Sequence, residues 1–189
     1  MRRRSSIGSG ALSGEPPITV EAGLAWCAFT VEHNPLRRSP PALRRRLNTL
    51  SDRHGGSRAI TQSTREIPQA YRAHHGVERS PAEELTIKQL IRGQYRSRGV
   101  LRDALLIATV DTEVGVWALD ADRLTGPPRV VAGDVADDAG PIVALFADPK
   151  TVSRATRRLT LYALTAPGIA ELAVEEALYT AWELATAYA

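Results

Sequence analysis

The side chains able to do chemistry are few, and their spacing removes several reactions at once. The histidines are His33, His54, His74 and His75. The last two are neighbours, so on a helix they point roughly 100° apart and cannot chelate as an i, i+4 pair would. No Cys/His cluster exists, so no metal site or cofactor is expected. There is no P-loop, no G-x-G-x-x-G fingerprint and no G-x-S-x-G elbow, which removes the common nucleotide-binding and serine-hydrolase signatures. Cys27 is the only cysteine and lies in an apolar run; it reads as a buried structural thiol rather than a nucleophile. What remains is carboxylate, hydroxyl and arginine. Along Glu113–Arg129 an apolar strand runs into Asp120-Ala121-Asp122-Arg123-Leu124, closes on Gly126 and restarts as a second strand. Asp120 and Asp122 suit a turn, because aspartate accepts hydrogen bonds from its own downstream backbone. Trp117 is either core or pocket wall. Asp103, opening an apolar stretch, is either a cap or the partner of a ligand's cation.

These residues need elements to hold them. Residues 1–16 are small, polar and basic, and read as a disordered N-terminal tail. The remainder, 17–189, reads as one domain, long enough for a sizeable core. Ile18–Val31 reads as one or two strands. Ser39 with Pro40-Pro41 starts a helix whose Leu43, Leu47 and Leu50 share a face, and Gly55-Gly56 ends it. Thr64–His75 reads as a second helix stopped by Gly76. Ser80-Pro81-Ala82-Glu83 is a capping box for a third, which turns Ile87, Leu90 and Ile91 inward and ends by Gly93. Arg102–Val110, Val114–Leu119, Arg129–Ala132, Pro141–Phe146 and Arg158–Thr165 read as strands. Pro167-Gly168 opens a last helix with Val174, Leu178, Ala181, Trp182 and Ala185 on one face. Clustered helices, then strands, then one covering helix indicate an α+β domain.

Charge is distributed unevenly. Residues 1–104 carry 18 Lys/Arg against 9 Asp/Glu, and residues 105–189 carry 6 against 12. All the cations except Lys88 and Lys150 are arginine, whose planar fork suits phosphate and carboxylate. An Arg-rich first half is compatible with RNA, and equally with solvated helix faces. The apolar runs are too short to span a bilayer. The N-terminal arginines lack a following apolar segment, so no secretory signal is expected, and a lone cysteine makes the cytoplasm the default. Oligomeric state is not legible.

Taken in order, Arg65-Glu66-Ile67-Pro68-Gln69-Ala70-Tyr71-Arg72, Ser80-Pro81-Ala82-Glu83, Gly93…Arg96…Asp103 and the Asp120–Arg123 turn resemble the B-three/B-four editing domain in the β-subunit of bacterial phenylalanyl-tRNA synthetase and its small free-standing relatives. The resemblance spans roughly residues 18–187. It implies a single α+β domain, a mostly antiparallel sheet with packed helices. It also implies a pocket lined by three segments: Arg96, Arg98 and Asp103; Trp117 and Asp120; and Ser153, Thr156 and Arg157. Within it, Asp103 and Thr156 are the implied catalytic residues, and Arg96, Arg98, Trp117, Asp120, Ser153 and Arg157 the implied substrate contacts. Asp103 or Asp120 would meet an ammonium, while Arg96, Thr156 or backbone N–H groups would polarise an ester carbonyl. The implied activity is hydrolysis of an aminoacyl-tRNA ester by a stand-alone deacylase, with tRNA met by the arginines. The family's pocket stretch, N-x-V-D-x-x-N-x-x-S, is represented by Gly99–Thr109, where only Asp103 persists and the Asn positions are apolar. The segment 132–140 is short, as if a family hairpin were trimmed. A pocket that exchanges amides for Leu, Ile and Trp has changed its ligand. Two other readings therefore stand beside the first: an enzyme repurposed for an amino-acid-derived intermediate in a biosynthetic pathway, and a binding module without catalysis.

Overall fold

Local signals set some of the element ends. The structure, a computed structural model, describes Gly14, residues 16–54 and residues 65–189. Almost all of the expected tail and the Gly55-Gly56 stop lie outside these residues. The chain runs β1 (Thr19–Glu21), β2 (Leu24–Thr30), α1 (Pro41–His54), α2 (Glu66–His75), α3 (Pro81–Arg92), α4 (Val100–Thr112), β3 (Val116–Asp120), a 3-10 turn (Ala121–Arg123), β4 (Arg129–Val131), β5 (Asp134–Asp137), β6 (Gly140–Ala144), β7 (Arg158–Leu164) and α5 (Glu171–Tyr188). The Ser80 box forms as the sequence dictates: Ser80 N–H donates to Glu83 Oε2 at 2.7 Å, and Glu83 N–H to Ser80 Oγ at 3.3 Å. Gly76 ends α2 with φ +65°, its N–H donating to Arg72 O. This left-handed geometry is the one that favours glycine.

One expected strand is a helix. Arg102–Val110 lies inside α4, which buries Val100, Leu101, Asp103, Ala104, Ile107, Ala108, Thr109 and Val110. A segment buried on most of its circumference has no polar face to reveal its period, so the apolar run resembles a buried strand. Its alanines and leucines favour helix once tertiary packing is available on several sides. The helix starts against the connector that follows β2. Val100 N–H donates to Arg37 O and Leu101 N–H to Pro35 O, at 3.0 and 2.9 Å. Gly99 takes φ +109°, and a Cβ there would stand 3.0 Å from the Leu36 and Arg37 carbonyls. A second correction concerns α3, where Ile91 is 81% exposed rather than turned inward.

The molecule is a single α+β domain built on two antiparallel sheets. The larger has the order β1-β2-β7-β3 and the smaller β4-β5-β6. β7 is central, with Leu161 facing Cys27 of β2 and Ala118 of β3. Strand alternation then sorts the side chains. Ala25, Cys27, Val116, Ala118, Leu159, Leu161 and Ala163 face the helical layer, where they meet Leu43 and Leu47 of α1, Ile107 of α4 and Leu178 of α5. Leu24, Leu119, Tyr162 and Leu164 face the other way and pack with Tyr71 of α2 and Val135 of β5. The small sheet thus covers the second face of the large one. Burial in the first layer pushes the Cys27 thiol up to about 12, as expected for an inert structural cysteine. Within the 132–140 segment, Ala132 and Gly133, with φ +50° and +91°, turn β4 back into β5. No strand was expected at Asp134–Asp137, because its two aspartates disguise a short segment that buries Val135, Ala136 and Asp137.

Candidate functional site

The residues implied by the resemblance fall into three separate places. Asp103 lies in the first turn of α4, 1% exposed, in the helical layer. Its Oδ2 accepts from Ser39 Oγ and Ser97 Oγ, both at 2.5 Å, and its Oδ1 from Arg98 N–H at 2.8 Å. Ser39 leads into α1, while Ser97 and Arg98 precede α4, so this carboxylate ties two segments together. A buried carboxylate needs such donors to offset its desolvation, and a position near the positive helix end adds to this.

Asp120 and Thr156 meet elsewhere, at the end of β3. Thr156 Oγ1 donates to Asp120 Oδ2 at 2.6 Å, and both residues are buried. Asp120 Oδ1 accepts from Asp122 N–H at 3.2 Å, the aspartate turn expected from the sequence. Ser153, exposed, donates its N–H to Thr156 Oγ1 at 3.0 Å. The Arg157 guanidinium caps the carbonyls of Arg154 and Thr156. Asp120 N–H is taken by Thr151 Oγ1. The group closes its own loop; the hydroxyl and carboxylate are spent on each other.

Trp117 lies on the opposite sheet face from Asp103. Its ring stacks on Tyr162 with centroids 5.6 Å apart and meets Phe146 edge-on at 6.1 Å. It forms one wall of a cleft of about 400 Å3 between β3 and α3, within the roughly 300–1,000 Å3 of small-molecule sites. Phe146, Leu85, Val77, Pro81 and Val116 supply the rest of the apolar lining, and Glu78, Arg79, Glu84 and Lys88 supply charge. Lys88 pairs with Glu84 at 2.9 Å and Arg79 with Glu78 at 3.2 Å. β3 is an edge strand, but its Val116 N–H donates to Thr109 Oγ1 rather than to a further strand. Gly115 is required here by space: a Cβ would come within 2.5 Å of the Trp117 ring and 2.8 Å of Pro81.

Beside the cleft, Tyr71 is held where β3 begins and β7 ends. Its hydroxyl donates to Leu164 O at 2.7 Å and accepts from Gly115 N–H at 3.2 Å. His75 stacks on Tyr71 and meets Phe146 at 5.0 Å. Burial, then His74, hold the His75 imidazole below its usual pKa, against a hydrogen bond from the ring to the Thr165 backbone, which raises it. Phe146 carries φ +66°, an uncommon conformation for a bulky residue, which aims its ring at Trp117 and His75. Sequence reasoning found Trp117 but missed Phe146, Glu78, Arg79, Glu84 and Lys88. Phe146 closed an apolar run read as a strand, and the four charged residues looked like ordinary solvated positions.

Arg96 lies in a second cavity, apart from the cleft. Arg98 is exposed and contributes its backbone to Asp103. Among the described residues no three His, Cys, Asp or Glu side chains converge as a metal site would. No helix among them is long and apolar enough to cross a membrane. No family model matches the sequence, and the comparisons with curated proteins and with solved structures give no match.

Proposed function

We propose that the protein recognises an amino acid or an aminoacyl group, and that the Trp117 cleft holds it. The observation that carries this reading is the composition of the cleft: an aromatic wall of Trp117 and Phe146, with two carboxylates and two cations beside it. An α-amino acid presents the complementary set. Its apolar side chain can lie against the rings, its ammonium can meet Glu84 or Glu78, and its carboxyl or ester end can meet Lys88 or Arg79. The existing ion pairs keep those four charges poised and would exchange partners on binding. In its simplest form the activity is deacylation of an aminoacyl-tRNA, the reaction implied by the sequence resemblance. An aminoacyl ester is already reactive, so the domain would need to position water and the carbonyl more than supply a strong base.

The second reading is binding without catalysis. It draws support from the hydroxyls and carboxylates near the cleft, which are already engaged: Thr109 Oγ1 by Val116 N–H, Glu84 by Lys88 and Glu78 by Arg79. One experiment addresses both. Trp117 emission would be followed as phenylalanine, tyrosine, leucine and their methyl esters are added, and ester hydrolysis would be recorded in parallel with aminoacyl-tRNA as a further substrate. Saturable quenching with esters consumed supports the deacylase. Saturable quenching with esters intact supports the binding module. No response to any of these ligands, with Trp117→Leu protein as the blank, sinks the amino-acid reading.

A further inference from the structure

The second cavity is separate from the Trp117 cleft and shares none of its lining residues. It is an open groove of about 530 Å3 between α1 and the segment joining α3 to α4. Arg44 and Arg45 project from α1, and Arg96 from the facing segment, with Asn48, Gln94 and Ser97 between them. Among the described residues no carboxylate lines it. Neighbouring arginines are satisfied elsewhere: Arg46 and Arg53 turn to Asp111, and Arg102 to Asp148. Arg44, by contrast, has a buried Nε–H with no acceptor among the described residues. Three guanidinium groups gathered without an acid repel one another, and an unpaired buried N–H costs free energy. The repulsion is relieved when an anion enters.

The walls are fixed before any ligand arrives. At one end Asp103 takes hydroxyls from Ser39, at the start of α1, and from Ser97, on the facing segment. At the other end Tyr95 N–H donates to Ser51 Oγ of α1 at 3.0 Å. Tyr95 is 5% exposed and forms the floor. Its hydroxyl meets Thr86 of α3, the helix that also walls the cleft. A groove held at both ends and lined by planar donor forks is preorganised for an oxyanion with several acceptor oxygens.

We propose that this groove is a phosphate-binding site, taking consecutive phosphate groups of a polyanionic ligand, with Arg44, Arg45 and Arg96 as the direct contacts and Asp103 as a positioning residue. It stands independently of the Trp117 cleft. The phosphates can belong to a nucleic-acid backbone or to a free polyphosphate-bearing small molecule, and the test separates these. A fluorescein-labelled single-stranded RNA 12-mer would be titrated by anisotropy, and tripolyphosphate by calorimetry, at low and at near-physiological salt. Wild-type protein should bind at least one of them, with affinity falling as salt rises. The double variant Arg44→Glu with Arg96→Glu should bind at least about tenfold more weakly, because charge-assisted contacts are lost and repulsion replaces them. Arg129→Ala, which removes a cation paired with Asp138 on the small sheet, should bind as wild type does. RNA binding without tripolyphosphate binding identifies a nucleic-acid backbone, and the reverse identifies a small phosphorylated ligand. Both substituted side chains are partly or fully exposed, and the circular dichroism melt confirms folding. Absence of binding by folded wild-type protein at low salt, or binding that survives in the double variant, overturns the proposal.

Discussion

Asp103 and Asp120 are aspartates of the same kind in different roles from those a pocket would give them. Each is buried and each is satisfied by hydroxyl and backbone donors. Asp103→Ala would leave Ser39, Ser97 and the Arg98 N–H without their acceptor, so urea denaturation should show a loss of about 3 kcal/mol. Asp103→Asn should cost less, because the serine hydroxyls can rotate to accept from the amide. Thr156→Val removes the hydroxyl that Asp120 accepts from and should cost about 1.5–3 kcal/mol. If folded Thr156→Val protein also lost deacylation of an aminoacyl ester, the structural account of Thr156 would be incomplete. The sequence made both aspartates visible as polar residues at element ends, and the Asp120 turn was legible from Asp-x-Asp alone. It could not show that the donors for Asp103 come from Ser39 and Ser97. Ser39 lies 64 residues away in the chain, and no local pattern encodes such a pairing.

At the scale of elements, caps were readable and buried interiors were not. The Ser80 box and the Gly76 stop are short-range chemistry, so α2 and α3 sit where the residues put them. α4 went unread because its environment, not its period, decides its conformation: it lies between the large sheet and other helices. The same limit hid the cleft, since Trp117, Phe146 and Lys88 come from β3, the turn after β6 and α3. Gly115→Ala tests how the edge of β3 is fitted to this arrangement. Its Cβ would overlap the Trp117 ring and Pro81, so the ring or α3 must move. Overpacking of this kind costs about 1–3 kcal/mol. The melting temperature should fall by several degrees, and the near-ultraviolet dichroism of the Trp117–Tyr162 stack should change. An unaltered spectrum would show that the ring has room to yield.

For the molecule as a whole, charge and protonation give the sharpest expectations. The uneven charge of the two halves is partly a matter of internal pairing. Arg53 and Arg46 meet Asp111, Arg65 meets Glu113, and Arg102 meets Asp148. Arg44, Arg45 and Arg96 collect at the groove instead. Exposed pairs of this kind contribute little stability, so high salt should lower anion binding far more than it lowers the melting temperature. pH acts through two groups. The backbone N–H of Thr125 leads the contacts that hold the Asp137 carboxyl below the usual carboxylate range. A depressed folded pKa gives stability that is present above the unfolded value, about 3.9, and lost as pH falls through the folded one. His75 is also depressed, chiefly by burial. For a histidine this means the folded state resists protonation, so stability declines as pH drops below the unfolded value of about 6.5. Melting curves between about pH 7.5 and 5.5 should therefore fall for the wild type and flatten for His75→Phe. Equal slopes for the two proteins would show that His75 protonates freely in the fold.

Cys27 faces the helical layer from the middle of the large sheet, fully shielded and with its thiol pushed up to about 12. At neutral pH almost no thiolate exists there, and reagents cannot reach it. The native chain is therefore silent toward maleimides and iodoacetamides. A single cysteine introduced at Lys88 on the cleft rim, or at Asn48 in the groove, would be the sole labelling position. Each cavity can then carry its own fluorophore or spin label in an otherwise unaltered background.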